Sequence, residues 1–76
     1  MMTIAEGLRR FRKEFHLTQK QVAASCGIGE TAYQKYEYGT VNPSFEIITN
    51  IANAYHVSLD YLAGRSDNPQ INEHVS

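Results

Sequence analysis

Apolar residues along this chain recur at spacings of three and four, and alternating apolar runs are absent, so helices are expected throughout. Ile4, Leu8, Phe11 and Phe15 share one helix face, and Thr3-Ile-Ala-Glu6 reads as a capping box at its start. The first helix is therefore expected over about Thr3 to Phe15. A second box, Thr18-Gln-Lys-Gln21, opens a helix with Val22, Ala23 and Cys26 inward, and Gly27 ends it. Gly29 can cap a third helix, with Glu30 at the positive end of its dipole. Ala32, Tyr33 and Tyr36 supply its inner face, and Gly39 stops it. After the loop Thr40-Val-Asn-Pro43, Ser44 caps a fourth helix that turns Phe45, Ile48, Ile51, Ala52 and Tyr55 inward. Ile47 falls between those inner positions and is expected as an exposed apolar spot marking an interface. Ser58 caps a short fifth helix holding Leu59 and Leu62, closed by Gly64. Residues 65–76 are polar, contain Asn68-Pro69 and show little periodicity, which predicts a flexible C-terminal tail. The expected architecture is all-α: a compact five-helix domain over residues 1–64.

Only Gly27-Ile28-Gly29 joins the second and third helices, which forces a sharp helix-turn-helix bend. Ala23 is small enough for the two helices to approach closely. Gly27, four residues later, can take the left-handed conformation that a Cβ would oppose. Ile28, Tyr33 and Tyr36 then fill the angle between the helices.

Composition narrows the function. The 76 residues allow one small domain, too small to leave much room for a concave substrate pocket. No phosphate-binding glycine loop or nucleophile elbow is present, so no enzyme is expected. Cys26 is the single cysteine, which excludes an internal disulfide; it reads as a small buried apolar residue rather than a redox sensor. His16, His56 and His74 lack paired ligand spacing, so no metal or other cofactor is expected. Without a signal pattern or a membrane-length apolar run, the chain reads as cytoplasmic. Seven basic and eight acidic residues give a net charge of −1, which on its face opposes nucleic-acid binding. The order of the charges reverses that impression. Through Tyr36 the chain carries a net +3, and from Glu37 onward a net −4.

The run Phe11-Arg-Lys-Glu-Phe-His-Leu-Thr-Gln-Lys-Gln-Val-Ala23, then Gly27-Ile28, Tyr36-Glu-Tyr-Gly39, Asn42-Pro-Ser44 and Val57-Ser-Leu-Asp-Tyr-Leu62, resembles the phage repressor/Cro (Xre-type) helix-turn-helix family over about residues 4–64. In three places the chain departs from that pattern: Gly29 stands where Ser or Thr is common, Tyr33 where an aliphatic residue is usual, and His16 where glycine is frequent. The resemblance implies a lambda-repressor-like domain that binds double-stranded DNA as a homodimer, usually as a repressor on a palindromic operator.

In such a domain the third helix enters the major groove. The residues turned away from its inner face are Glu30, Thr31, Gln34, Lys35 and Tyr38. Lys35 can donate to guanine, Thr31 can meet a thymine methyl, and Glu30 can accept from cytosine or simply favour the helix dipole. Glu30, Thr31, Gln34 and Lys35 are thus the candidate base contacts, against the alternative of a merely solvated face. Gln19 resembles the family's phosphate-contacting glutamine, and its alternative is plain capping. Tyr38, Thr40 and Asn42 are the other candidate backbone contacts. Arg12 and Glu37 match a pair that, by resemblance, forms an ion pair between the first and third helices. Two other readings remain open at this point. One is an antitoxin or restriction-modification controller of the same fold, possessing a protein partner. The other is an interaction module without DNA binding, for which the outward face of the third helix should be apolar or acidic.

Overall fold

A computed structural model describes residues 2–71, and within them the chain forms five helices. They are α1 (Ile4–Glu14), α2 (Gln19–Ser25), α3 (Glu30–Tyr38), α4 (Phe45–Tyr55) and α5 (Leu59–Leu62). Both expected capping boxes form: the Thr3 side chain accepts from the Glu6 amide, and the Thr18 side chain from the Gln21 amide. Ser44 and Ser58 cap α4 and α5 through their hydroxyls. Gly29 holds the N-cap position of α3 without a side-chain bond.

The helix ends share one device. After α2, Gly27 sits at φ 73°, Ile28 N–H donates to the Ala23 carbonyl at 3.1 Å, and Gly27 N–H donates to Ala24 at 3.2 Å. This paired closure satisfies two carbonyls that the helix leaves without partners. It also reverses the chain tightly enough to start α3 two residues later. The same closure ends α1, but there a histidine takes the left-handed position: His16 has φ 57°, and Leu17 N–H donates to Arg12 O at 2.9 Å. That conformation is what a glycine would adopt most easily, and His56 repeats it after α4 at φ 55°.

Leu8, Phe11, Val22, Ala23, Tyr33, Ile48, Ile51, Val57, Tyr61 and Leu62 form the core, with contributions from every helix. Tyr55 is half-buried, its ring edge-on to Phe11 at 5.3 Å. Two inward assignments from the sequence are corrected. Ala32 is exposed, because the buried stripe of α3 runs through Tyr33 and Glu37 and leaves Ala32 one position out of phase. Phe45 is 77% exposed: it prolongs the Ile48–Ile51–Ala52 stripe into the first turn of α4, where that stripe runs past the core. Leu59 also lies at the surface, at 36%. Ile47, expected to be exposed, is half-buried against the core.

The segment after α5 touches the helices at several points. Arg10 donates to the Ser66 carbonyl at 2.7 Å and pairs with Asp67 at 2.8 Å, while Ser58 N–H donates to Pro69 O at 2.9 Å. The Arg10 guanidinium also lies 4.2 Å from the centroid of the Tyr61 ring. Residues 72–76 of the expected tail, including His74, lie outside the described residues.

At Gly7, α1 passes close against the backbone of α5. A Cβ there would stand 2.2 Å from the Leu62 carbonyl oxygen and 2.9 Å from the Gly64 nitrogen. Both obstacles are backbone, so relief requires moving α5. Gly7→Ala should lower the melting temperature despite alanine's better helix propensity. The expected net cost is about 1–3 kcal/mol. An unchanged or raised melting temperature by circular dichroism would contradict this packing.

Candidate nucleic-acid interface

A buried carboxylate organises the site. Glu37, on the inner stripe of α3, is 1% exposed. Arg12 reaches it from α1 in a two-pronged contact, Nε to Oε2 at 2.6 Å and Nη2 to Oε1 at 3.0 Å. Arg12 Nη1 also donates to the Leu17 carbonyl at 3.3 Å, and the Arg9 guanidinium donates to the Glu37 carbonyl. From α2, Gln19 Nε2 donates to Glu37 Oε1 at 3.2 Å; from α3, Gln34 Nε2 donates to Gln19 Oε1, also at 3.2 Å. One polar chain thus runs from α1 through the buried end of α3 to the first turn of α2. It returns to the outer surface of α3 at Gln34.

The charges respond accordingly. Burial alone would raise the Glu37 pKa, but hydrogen bonding from its neighbours, Arg12 foremost, outweighs it and holds the carboxyl below its ordinary value. The Glu37 bond raises the Arg12 pKa. The Tyr33 hydroxyl is buried without a hydrogen-bond partner of normal geometry, and burial with the nearby Glu37 charge pushes its pKa up. Burial also pushes the Cys26 thiol up, keeping it a thiol whose Sγ lies 3.5 Å from the Val22 carbonyl.

Among the base-contact candidates, Glu30, Thr31 and Lys35 stand exposed on one side of α3, whereas Gln34 is half-buried and tied to Gln19. The sequence offered Gln19 and Gln34 separate roles; the structure couples them. Tyr38 is 68% exposed, and Thr40 and Asn42 are exposed beyond the α3 C-terminus. The backbone amides there are already engaged: Gly39 donates to Tyr36 O at 3.3 Å, and Thr40 and Val41 to Lys35 O at 3.1 and 3.4 Å. Those three amides are taken, which leaves the Asn42 amide and the side chains to meet an anion at this loop. The Gln19–Gln34 link has no signature in the sequence, because positions 15 residues apart show no pairing signal until the turn is folded. Among the described residues no group of three His, Cys, Asp or Glu could hold a metal, and no helix is long and apolar enough to cross a membrane.

Removing Arg12 would leave a buried charge unanswered, so Arg12→Ala should cost about 3–5 kcal/mol of stability. An unchanged melting temperature would contradict the pairing. The pH dependence has a definite sign. A carboxyl with a depressed folded-state pKa adds stability above its unfolded pKa of about 4.3 and loses it as pH falls through the lower folded value. Melting curves from neutral to acid pH should show a loss below about pH 4 that is smaller in Glu37→Gln. Equal acid slopes would contradict it.

A family model described as Helix-turn-helix matches residues 8–62. The chain is 39% identical over 67 residues to the HTH-type transcriptional regulator YqaE of Bacillus subtilis (strain 168), covering 88% of this chain and 58% of that protein. It is 44% identical over 64 residues to the cryptic phage CTXphi transcriptional repressor RstR of Vibrio cholerae serotype O1 (strain ATCC 39315 / El Tor Inaba N16961), covering 84% and 57%. It therefore spans a little over half the length of these relatives. The solution structure of the DNA-binding domain of the P22 c2 repressor superposes with a TM-score of 0.77 at 25% identity, over 93% of this chain and 92% of that one. Matching family model, five-helix fold and helix-turn-helix geometry agree: the chain belongs to the Xre-type helix-turn-helix family.

Proposed function

We propose that this chain is a sequence-specific DNA-binding transcriptional regulator, a repressor that uses no catalysis and acts as a homodimer on a palindromic operator. The observation that carries the reading is the polar outer face of α3, with Glu30, Thr31 and Lys35 exposed on a helix whose inner end is fixed by the Arg12–Glu37 pair. A rigidly held helix with free hydrogen-bonding side chains is what base-edge reading in the major groove requires. The relatives support it in kind: one is named a transcriptional repressor, and the superposed structure is a repressor's DNA-binding domain. On this reading Lys35, Thr31 and Glu30 meet bases, and Gln34 does so while braced by Gln19. Gln19, Tyr38, Thr40 and Asn42 meet the backbone. The DNA-binding unit is residues 1–64, with 65–71 packed on it.

A second copy of the chain is the proposed occupant of the α4–α5 face. Phe45 stands out beside an apolar depression formed by Ile4, Pro43, Ile48, Leu59 and Ala63, with Asp60 and Arg65 at its edge. A twofold contact would seat each Phe45 against the other copy and set Arg65 near opposing acids, so the patch complements itself. It would bring two α3 helices to successive major grooves, about 34–36 Å apart.

Selection of bound duplexes from a random pool should yield a twofold-symmetric consensus; recovery of none would overturn the reading. With that duplex, Lys35→Ala should relax specificity at one position in each half-site, at a cost of about 1–3 kcal/mol. Uniform weakening on all sequences would instead assign Lys35 to the backbone. Phe45→Glu should give a folded monomer by sedimentation at concentrations where the parent sediments as a dimer. A dimeric variant would place the interface elsewhere.

A further inference from the structure

The loop after α3 carries no lysine or arginine between Tyr38 and Ser44, and its first amides are used in closing the helix. The fold supplies a cation to it from elsewhere. A cleft of about 460 Å³ separates the start of α1 from this loop, and Thr3, Glu6, Arg9, Tyr38, Gly39 and Asn42 line it. Arg9 is half-buried, and one of its N–H groups is held by the Glu37 carbonyl near the end of α3. Among the described residues, arginines 10 and 12 have carboxylates within ion-pair distance and Arg9 has none. Most of its guanidinium donors are therefore uncommitted, on a group already anchored at one point. Tyr38 and Asn42, which carry a hydroxyl and an amide as neutral donors, line the same cleft.

We propose that Arg9 takes a backbone phosphate of duplex DNA in this cleft, with Tyr38 and Asn42 as its partners. The proposal rests on the DNA-binding reading and adds to it a residue that the sequence did not single out. A planar, permanently charged donor fork suits a phosphodiester oxygen pair. Its anchor on Glu37 joins it to the residue that fixes α3, so the phosphate contact and the base-reading helix share one frame. Glu6 opposes the site. Its carboxylate, held by the Thr3 amide at 2.8 Å, keeps a lowered pKa chiefly through the bonds to Thr3 and lies in the same cleft. The cleft is thus tuned to modest affinity rather than strong non-specific attraction.

The test compares the full chain with Arg9→Gln, Arg9→Lys and Glu6→Gln, a change that keeps a capping-box side chain. Binding is read by fluorescence anisotropy on the selected operator duplex and on a random-sequence duplex of equal length, over roughly 50–300 mM KCl, with melting temperatures in parallel. Arg9→Gln should weaken both complexes about eightfold at 0.1 M salt for each protomer engaged. It should also reduce the slope of log K against log salt by about 0.9 per protomer. Arg9→Lys should retain the slope, and Glu6→Gln should tighten both complexes. If the parent binds and Arg9→Gln leaves the slope unchanged, the proposal is overturned alone. An affinity loss that follows a fallen melting temperature at constant slope would assign Arg9 only to holding α3. A parent that binds neither duplex overturns the functional reading together with this one.

Discussion

Glu37 is a carboxylate inside a small apolar core, and such a group is tolerated only if donors replace the water it has lost. Arg12 supplies two of them and Gln19 a third. The donors come from α1 and α2, while the acceptor is on α3, so satisfying one charge fixes three helices relative to one another. A hydrophobic contact at the same place would hold α3 down but would leave its rotation about its own axis less defined, because apolar packing is not directional. The two-pronged geometry defines that rotation. Which residues of α3 face outward follows from it.

The turn before α3 imposes the complementary constraint. Gly27 at φ 73° and the bond from Ile28 N–H to Ala23 O set the angle at which α3 leaves α2, with the small Ala23 at the crossing. The turn sets the direction of α3 and the ion pair sets its roll. With both fixed, exposed Glu30, Thr31 and Lys35 stand on one rigid helix, so only their side chains, and not the backbone that carries them, remain to be ordered when they meet a ligand. The charge pattern follows the same division. Arg9, Arg10, Arg12, Lys13, Lys20 and Lys35 precede Glu37, while Glu46, Asp60 and Asp67 lie in α4, α5 and the segment that follows them.

Much of this was legible in the sequence, for local reasons. Capping boxes, serine caps and the glycine at the tight turn act over three or four residues, so Thr3, Thr18, Ser44, Ser58 and Gly27 could be read directly. His16 and His56 were not read as helix ends, since their left-handed conformation is imposed by the fold rather than favoured by the residue. Phe45 was misplaced because periodicity reports which side of a helix is apolar but not where along its length the core stops. Ala32 lies outside for a related reason: the buried stripe of α3 is set by Glu37, an acid whose partner stands 25 positions away, so periodicity alone does not give its phase. The Arg12–Glu37 pair came from resemblance alone. Arg9 is 28 residues from the carbonyl that anchors it, so neither its anchor nor its cleft has a local signature.

If the pair orients α3 more than it stabilises the fold, the two properties should separate when both charges are replaced by apolar residues of similar volume. The decisive measurement is the Arg12→Met/Glu37→Leu double variant, assayed for thermal melting and for affinity on the selected duplex. Melting should stay close to that of the parent, with affinity for the selected duplex reduced at least tenfold, about 1.4 kcal/mol. A double variant that melts like the parent and also binds like it would show that the pair does not orient α3.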